Sequence, residues 1–382
     1  MNHCHAITSG TAALQQVALI GTGLIGGSIA RALRAGGFRG TIDAVCLPHE
    51  KQRARALEEI DTVYTFDALE AAVCTAELIV ICTPVTAILA TLDSLATLPL
   101  RPGVIITDTG STKERICTHA AKVLPDSFTF VGGHPMAGSE KSGPEAADPY
   151  LFQNAAYVLT PARGYLQDAQ IPLGSFLADH LKCRIMHLEP LAHDRIAAAV
   201  SHVPHLLAIA LMTMGQRLSE QDPQLLHLAA GGFRDMTRIA SAPYDMWRDI
   251  FATNSDAIGE TLRTFREELE ILEQETLSDC ALARFCAASE LRSQIPANSK
   301  GFLNPLADCV VSAVDEPGFI ARIATLLADA SINIKDIEVL KVREGEGGTI
   351  RLGFESREIA NNACTLLASH GIKVRAGELP NA

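Results

Sequence analysis

The strongest candidate for acid–base chemistry is His134, which lies between glycine and proline in the segment GGHPMAGSE. A neutral imidazole has a pKa of about 6.5 and can accept a proton from a hydroxyl group. Ser111, in the segment DTGSTK after an apolar run, adds a hydroxyl that can donate or accept a hydrogen bond. Each also has a purely structural interpretation: His134 as a buried histidine with its hydrogen bonds satisfied, and Ser111 as part of an ordinary turn. Their surroundings decide whether they take part in chemistry.

Two arginines and a histidine-containing turn are candidates for binding an anionic ligand. Arg234 and Arg238 lie four residues apart in FRDMTRIA, which predicts that they share one helix face. Such arginines are usually solvated, but a chain with a net charge of −12 needs planar cations to bind a dicarboxylate. The segment SHVPH brings Ser201, His202 and His205 onto one helical turn. No third metal ligand accompanies these histidines, and we predict no metal site.

A glycine-rich segment predicts a dinucleotide site. An apolar run at residues 17–20 meets GTGLIGGS and is followed by helical spacing, so the motif GxGxxG joins a strand to a helix. In that context the glycines let the backbone approach a pyrophosphate, whose charge is stabilised by the helix amino terminus. Hydride removal from a carbinol by such a cofactor requires a base, which favours the catalytic interpretation of His134.

The identity of the dinucleotide is open at this stage. The acidic residue that usually binds the ribose 2′-hydroxyl after the second strand is absent, and Cys46 and Leu47 occupy its place. His49, Lys51 and Arg53 follow, and they could accommodate a 2′-phosphate or simply form a solvated helix face. Both NAD and NADP are therefore candidates.

The elements that must position these residues form three folded segments. Strands alternate with helices over residues 14–189, which predicts a Rossmann-type, doubly wound parallel α/β sheet. Residues 190–293 carry long helical periodicities with extensive apolar faces, which predict an all-α domain. We expect some of these faces to be buried in a homodimer, with a monomeric bundle as the alternative. A Pro-, Gly-, Asn- and Ser-rich linker follows at 294–305. Residues 306–382 have the order βαββαβ, the ferredoxin-like arrangement.

Composition excludes several classes of protein. With 32 basic against 44 acidic residues, the chain repels nucleic acid and anionic membranes, so neither is expected as a partner. The ten cysteines form no CxxC pair, which is typical of a reducing compartment. We find no export signal and expect no segment to approach the ~18 uncharged apolar residues that span a membrane. A cytoplasmic location is predicted.

Five segments and the only tryptophan together suggest a family. GTGLIGGS, DTGSTK, GGHPMAGSEKSG, SHVPH and FRDMTRIA, followed by Trp247, occur in an order that closely resembles the prephenate dehydrogenase family. The resemblance spans most of residues 17–260. It implies hydride transfer from C4 of prephenate to NAD(P), with loss of the ring carboxylate as CO2, in tyrosine biosynthesis. Arogenate, with an amino group in place of the keto group, is the rival substrate. Another hydroxy-acid or imine oxidoreductase and a regulatory nucleotide-binding protein without turnover are more distant alternatives.

The resemblance also assigns roles to individual residues. His134 is implied to hydrogen-bond the C4 hydroxyl, Ser111 to support it and Arg238 to bind a substrate carboxylate. The residues implied to line or gate the pocket are Ser201, His205, Arg234 and Glu140. The expected cofactor contacts are Gly21, Thr22, Gly23, Leu24, Ile25, Gly26, Cys46, Thr83 and Pro84.

The carboxy-terminal segment resembles an ACT domain, a regulatory module that binds amino acids, through its βαββαβ order and the loop DEPG before a helix. The resemblance implies feedback inhibition by L-tyrosine, the end product, through paired ACT domains. A degenerate module that only dimerises is the alternative. The expected effector contacts are Asp315, Glu316, Pro317, Gly318, Asn333 and Ile334.

Overall fold

The computed structural model describes residues 14–139, 141–162, 167–277, 281–294, 306–314, 316–343 and 347–376. They form two compact units, one ending at Ile271 and the other starting at Leu272. The first contains an α/β sheet and a group of helices, and the second contains a small antiparallel sheet with helices. This confirms the predicted fold class. The predicted domain boundaries stay predictions, and residues 295–305 of the predicted linker lie outside the described residues.

An eight-stranded sheet is the centre of the first unit. Its strands are β1 (Gln16–Ile20), β2 (Thr41–Cys46), β3 (Thr62–Thr65), β4 (Leu78–Ile81), β5 (Ile105–Asp108), β6 (Thr129–Pro135), β7 (Ala156–Pro161) and β8 (Arg184–His187). Their spatial order is β3-β2-β1-β4-β5-β6-β7-β8. The expected parallel arrangement holds from β1 to β6 but is wrong beyond them, because β7 pairs antiparallel with β6 and β8 runs parallel to β7.

Helices accompany this sheet as α1 (Leu24–Ala35), α2 (Lys51–Ala54), α3 (Leu69–Val73), α4 (Val85–Leu95), α5 (Glu114–Val123) and α6 (Gln167–Leu181). Successive residues of β1 join two separate cores: Val17 and Leu19 one, Ala18 and Ile20 the other. The sheet is thus covered on both faces, as parallel sheets are. The carboxyl ends of β1, β4, β5 and β6 therefore share one edge, where ligands of open α/β sheets bind.

The remaining helices of the first unit begin at Pro190. They are α7 (Pro190–Ala197), α8 (Val203–Ser219), α9 (Gly231–Thr237), α10 (Tyr244–Thr253) and α11 (Ser255–Leu277), which contains the boundary with the second unit. A π-helical turn, Ala198–His202, joins α7 to α8, and a 3-10 turn, Arg238–Ser241, follows α9.

The helical run Pro190–Ser219 is long and apolar enough to cross a membrane, judged by length and composition alone. The expectation that no segment reaches this length was therefore wrong, because the π-helical turn carries the helix on through Pro204. The buried side chains of this run include His193, Asp194, His202 and His205. Its buried side thus belongs to a polar cluster inside the protein.

The second unit has the predicted βαββαβ order. After α12 (Leu282–Ser293) come β9 (Ala307–Ala313), α13 (Phe319–Asp329), β10 (Asp336–Arg343), β11 (Gly347–Phe354), α14 (Arg357–Ser369) and β12 (Val374–Ala376). The strands are ordered β10-β11-β9-β12 and every neighbouring pair is antiparallel. Cys309 and Val311 of β9 pack with Leu327 of α13 and Leu367 of α14 in one core.

Replacing Gly26 with alanine is expected to lower the melting temperature by several degrees. A Cβ on Gly26 would lie 2.0 Å from the carbonyl oxygen of Gly21, so α1 would have to move away from the strand before it. Gly259→Ala is the matched control, because a Cβ there meets only Arg263 Nη1, at 3.7 Å, and alanine favours a helix. Calorimetry of both variants measures the effect, and an unchanged melting temperature for Gly26→Ala would contradict it.

Candidate active site

The turn between β1 and α1 has the shape of a phosphate-binding site. Gly21 has a φ of +100°, and a Cβ on it would lie 2.7 Å from the carbonyl oxygen of Cys82, so only glycine fits. A Cβ on Gly23, the residue before α1, would meet nothing within 4 Å. No described side chain caps α1, and its first turn has no acidic residue. Its backbone N–H groups and partial positive charge are therefore available to an anion.

The residue after Cys82 adds a polar group to this turn. The Thr83 Cγ2 would lie 3.0 Å from a Cβ on Gly21, and the buried Thr83 hydroxyl has no hydrogen-bond partner among the described residues. A buried hydroxyl of this kind needs a ligand or a water molecule. The turn therefore fits a dinucleotide. The other expected cofactor contacts lie in or beside it: Thr22, Leu24, Ile25, Gly26, Cys46 and Pro84.

Cys46 ends β2 at the place where a ribose-binding acid is usual. Burial raises the pKa of its thiol, which lies 3.8 Å from the carbonyl oxygen of Tyr64. Among the basic residues that follow, Arg53 donates to Glu145 through Nε at 2.6 Å and Nη2 at 2.5 Å. This bidentate pair occupies the guanidinium edge that a 2′-phosphate would use.

His134 lies in β6 itself. The strand continues to Pro135 because β7 pairs with it, with Val158 opposite His134. The Nδ1 of His134 is 2.8 Å from Nε2 of His193, and Nδ1 of His193 is 2.7 Å from Oδ1 of Asp194. These three side chains form a hydrogen-bonded chain, here called the His–His–Asp chain, between the sheet and α7.

Asp194 is held by several hydrogen bonds besides that from His193. Its Oδ1 accepts from the backbone N–H of Lys113 at 2.7 Å, and its Oδ2 from that of Glu114 at 3.0 Å, where α5 begins. Asn254 Nδ2 donates to its backbone carbonyl at 2.8 Å. The carboxylate is fixed by these contacts, so it can orient the ring of His193.

A buried ion pair supports the strand that carries His134. Lys113 Nζ is bonded to Asp108 Oδ2 and donates to the carbonyl oxygen of Gly133 at 2.8 Å. Asp108 accepts from the backbone N–H groups of Gly110 at 2.8 Å and Gly133 at 3.1 Å. The pair therefore ties the end of β5 to the residue directly before His134.

Burial favours the neutral form of three histidines of this region, His134, His202 and His205. The pKa of His134 lies well below its usual 6.5, chiefly because burial disfavours the charged form, with His193, Lys113 and His202 adding repulsion. Burial also lowers the pKa of His202 to about 4 and that of His205 below its usual value. A neutral imidazole has one nitrogen without a proton, as a base requires.

His205 on α8 stacks on Trp247 of α10. Their rings are nearly parallel, at 6°, and their centroids are 3.7 Å apart. His202 meets the same tryptophan edge-on, with ring centroids 6.0 Å apart, and its Nδ1 is 3.2 Å from Nδ2 of Asn254. In the part of the chain that the structure describes, no cluster of three or more His, Cys, Asp or Glu side chains could hold a metal ion.

The two candidate arginines are arranged differently from the prediction. Helix α9 ends at Thr237 and Arg238 begins the 3-10 turn, so Arg234 and Arg238 do not share the face of one continuous helix. Both are exposed, and Arg234 Nε donates to the carbonyl oxygen of Ala229 at 3.1 Å. The 3-10 turn packs against α8, the helix of His205. Ser111 and Ser201 are half-buried, and Glu140 lies outside the described residues.

Sequence reasoning missed the residues that hold His134 in place. Lys113 and Asp108 lie inside the segment DTGSTK, but nothing in that segment indicates that they form a buried pair. A signal was present for His193 and Asp194, which are adjacent at the start of a helix that follows the last strand. It identifies an acid and an imidazole but not the histidine that they contact.

The second unit contains a cavity of about 410 Å³ beside the start of α13. Glu316 and Gly318 of the expected effector loop line it, together with the apolar side chains of Phe319, Ile320 and Val339. Pro317, Asn333 and Ile334 are not among its lining residues, and Asp315 lies outside the described residues.

Comparisons with known proteins place the chain in a family. Family models match it as the prephenate dehydrogenase nucleotide-binding domain over residues 29–172, the prephenate dehydrogenase dimerization domain over 189–285 and an ACT domain over 308–363. The prephenate dehydrogenase of Bacillus subtilis is 36% identical over 345 residues, which cover 89% of this chain and 92% of that protein. The chain belongs to the prephenate dehydrogenase family.

Solved structures of this family have the same fold. The prephenate dehydrogenase of A. aeolicus, in complex with hydroxyphenyl propionate and NAD+, gives a TM-score of 0.67 at 28% identity, covering 74% of this chain and 97% of that one. The Synechocystis arogenate dehydrogenase gives 0.62 at 29% identity, covering 72% and 98%. As a member of the prephenate dehydrogenase family, the chain is an NAD-dependent dehydrogenase of tyrosine biosynthesis.

The stability of this prephenate dehydrogenase-family enzyme is expected to fall as the pH decreases from 7 to 5. Below pH 6.5 histidines in the unfolded chain bind protons, whereas folding keeps His134 and His202 neutral. The unfolded state then holds more protons, so stability that is complete above pH 6.5 is lost towards the folded-state pKa of His202, about 4.

Denaturant unfolding across this pH range measures the effect. His202→Gln should weaken the pH dependence, whereas the same change at the exposed His49 should leave it as in the parent. Equal slopes for the parent and for His202→Gln would contradict the assignment.

Proposed function

We propose that the enzyme oxidises prephenate at C4 and releases its ring carboxylate as CO2, giving 4-hydroxyphenylpyruvate. The observation that carries the proposal is the His–His–Asp chain, which lies at the sheet edge that also carries the glycine-rich turn. Prephenate has a carbinol at C4 that must lose a hydride and a proton. Bound NAD supplies the hydride acceptor.

The His–His–Asp chain determines which nitrogen of His134 is the base. An ionised Asp194 only accepts, so His193 donates to it through Nδ1 and is left with an accepting Nε2. His134 therefore donates to His193 through Nδ1 and keeps a lone pair on its own Nε2.

This lone pair accepts the proton of the C4 hydroxyl while the C4–H electrons leave as hydride. The bond to the ring carboxylate then breaks and CO2 departs. The electron pair of that bond completes the aromatic ring, while the C4 oxygen takes back the proton from His134 to become the phenol hydroxyl. Aromatisation makes the step effectively irreversible. Ser111, in the loop after β5, supports the hydroxyl.

The carboxylates of prephenate need cationic partners in a chain with a net charge of −12. We assign Arg238 to one of them, because it is exposed beside α8, where His205 is held against Trp247. We also assign Ser201 and Arg234 to the lining or gate of the substrate pocket. NAD is favoured over NADP because Glu145 already occupies the guanidinium of Arg53.

The helices after Pro190 are proposed to form a homodimer. Large apolar side chains of α8, among them Met212, Met214 and Leu218, are exposed. Apolar surface of this kind marks a protein interface, and the match to a dimerization domain over residues 189–285 supports it. The apolar helix thus serves subunit contact, which accords with a cytoplasmic enzyme without membrane or nucleic-acid partners.

The second unit is proposed to bind L-tyrosine as a feedback inhibitor. The cavity of about 410 Å³ beside α13 is large enough for an amino acid, and Phe319, Ile320 and Val339 offer apolar contacts to an aromatic ring. Inhibition then requires that tyrosine binds the less active state of the enzyme more tightly than the active one.

An assay with purified enzyme tests the proposed reaction. Absorbance of the reduced nicotinamide is followed with prephenate or arogenate, each with NAD or NADP. We expect turnover with prephenate and NAD, and a loss of about 10²- to 10⁴-fold in kcat for His134→Asn without loss of NAD affinity. His119→Asn, on α5 and paired with Asp93 at 2.8 Å, is the control.

If no combination of substrate and cofactor gives turnover, the proposed dehydrogenase reaction is refuted and a regulatory nucleotide-binding protein is favoured. Turnover with arogenate alone would show that arogenate, and not prephenate, is the substrate. An active His134→Asn variant would show that His134 is not the base.

Filling the cavity of the second unit should abolish inhibition by tyrosine. Ala313→Leu places a larger side chain in its lining, so we expect the uninhibited kcat to persist while millimolar tyrosine no longer lowers it. Ser312→Ala, at the adjacent exposed position of β9, should respond to tyrosine like the parent. If tyrosine changes neither the activity nor the melting temperature of the parent, regulation through this unit fails.

A further inference from the structure

A buried carboxylate on α10 caps a helix of the nucleotide-binding sheet. Asp249 is 6% exposed, and its Oδ2 accepts from the backbone N–H of Thr86 at 3.0 Å and from the Thr86 hydroxyl at 2.7 Å. Thr86 lies in the first turn of α4, and the residue before α4 is Pro84, whose side chain cannot cap it. Asp249 therefore meets an otherwise unsatisfied N–H and the partial positive charge of the helix.

This cap lies directly after the residues assigned to the cofactor. Thr83 and Pro84, between β4 and α4, are expected cofactor contacts, and the Thr83 hydroxyl is buried without a described partner. A displacement of Asp249 would release the start of α4 and, with it, the loop that these two residues form.

Helix α10 also contacts the loop after β5 and the His–His–Asp chain. The hydroxyl of Thr253 is 2.8 Å from that of Thr112, the residue after Ser111. Asn254, the residue directly after α10, donates to the carbonyl oxygen of Asp194 at 2.8 Å. These contacts tie α10 to the loop after β5 and to the His–His–Asp chain.

The face that binds substrate in the proposed function depends on α10 as well. Trp247 lies two residues before Asp249 and stacks on His205 at 3.7 Å. Helix α10 thus links the substrate-side histidine to the cofactor-side loop, so its position sets the separation between the two. A misplacement of about 1 Å in such a geometry can cost about 10²-fold in rate.

We propose that Asp249 is a positioning residue for hydride transfer: by capping α4 it holds α10, and with it His205, at the correct separation from the cofactor loop. The inference rests on the proposed function, because it presumes that prephenate binds beside His205. It adds a role for a residue whose carboxylate bonds to Thr86 at the start of α4.

The test compares Asp249→Ala, Asp249→Asn and Thr86→Ala with the parent. The control is Asp245→Ala on the same helix, where the carboxylate is 85% exposed and bonds only to Arg248, at 3.3 Å, among the contacts described. Asparagine keeps an accepting oxygen in the place of Oδ2, whereas alanine leaves both Thr86 donors unpaired. The readouts are kcat, KM, the isotope effect with prephenate deuterated at C4, and NAD binding measured by calorimetry and by the fluorescence of Trp247.

For Asp249→Ala we expect a fall in kcat of about tenfold or more with a larger isotope effect, while KM for prephenate stays within about threefold. Asp249→Asn should recover most of kcat, and Asp245→Ala should match the parent. If Asp249→Ala does not fold, Thr86→Ala, which deletes only the hydroxyl donor, should show the same changes to a smaller degree.

A folded Asp249→Ala enzyme with the parental kcat and isotope effect would overturn the proposal, as would a loss that asparagine does not recover. If the parent itself does not turn over prephenate, the proposed function fails, and Trp247 still decides the inference. NAD should change the emission of Trp247 in the parent, and should bind to Asp249→Ala with a smaller change. An equal change in both proteins would overturn the link between α10 and the cofactor loop.

Discussion

The rest of the site depends on the hydrogen bonds that the carboxylate of Asp194 accepts. It is 1% exposed, and it accepts two backbone N–H groups at the start of α5 as well as the imidazole of His193. A buried carboxylate is tolerated only when such donors surround it. The two backbone donors belong to the sheet domain and the carboxylate belongs to α7, so these hydrogen bonds join the two parts while they stabilise the charge. The hydrogen bond from His193 in turn sets the tautomer of His134.

The sheet explains why distant segments meet there. Parallel strands deliver the residues that follow β1, β4 and β5 to one edge, and the antiparallel pairing of β6 with β7 extends β6 far enough to carry His134 to that edge. The helices after Pro190 then cover this edge and place carboxylates against the positively polarised ends of helices. Asp194 and Asp249 each approach the amino terminus of a helix, where a negative charge is favoured.

The sequence predicted the parts of this arrangement that are encoded locally. The glycine turn, most strands of the first sheet and the βαββαβ order of the second unit depend on neighbouring residues, and their types and spacing were sufficient. The short strand β3 was not predicted, because its four residues, TVYT, are only partly buried and show little hydrophobic pattern. The direction of β7 was also missed, since the pairing of a strand depends on its neighbour in space.

The candidate site was predictable as a list of residues but not as a set of contacts. His134 and Ser111 stand out because of the segments that contain them. The partners of His134 come from positions some 60 residues further along, as His193 does, and no local pattern joins them. The change from α-helix to a 3-10 turn at Arg238 was also not predictable from the four-residue spacing of Arg234 and Arg238.

The π-helical turn Ala198–His202 controls the phase of the long helix that serves the site. His193 and His205 are 12 residues apart, and in a regular helix that spacing turns them about 120° away from each other. A π turn takes up one extra residue, which removes about 100° of that rotation and returns both rings to nearly the same side. The π-helical turn acts as an inserted residue. Its loss would turn His205 by about 100° around the helix axis relative to His193, so the number of residues between them is fixed.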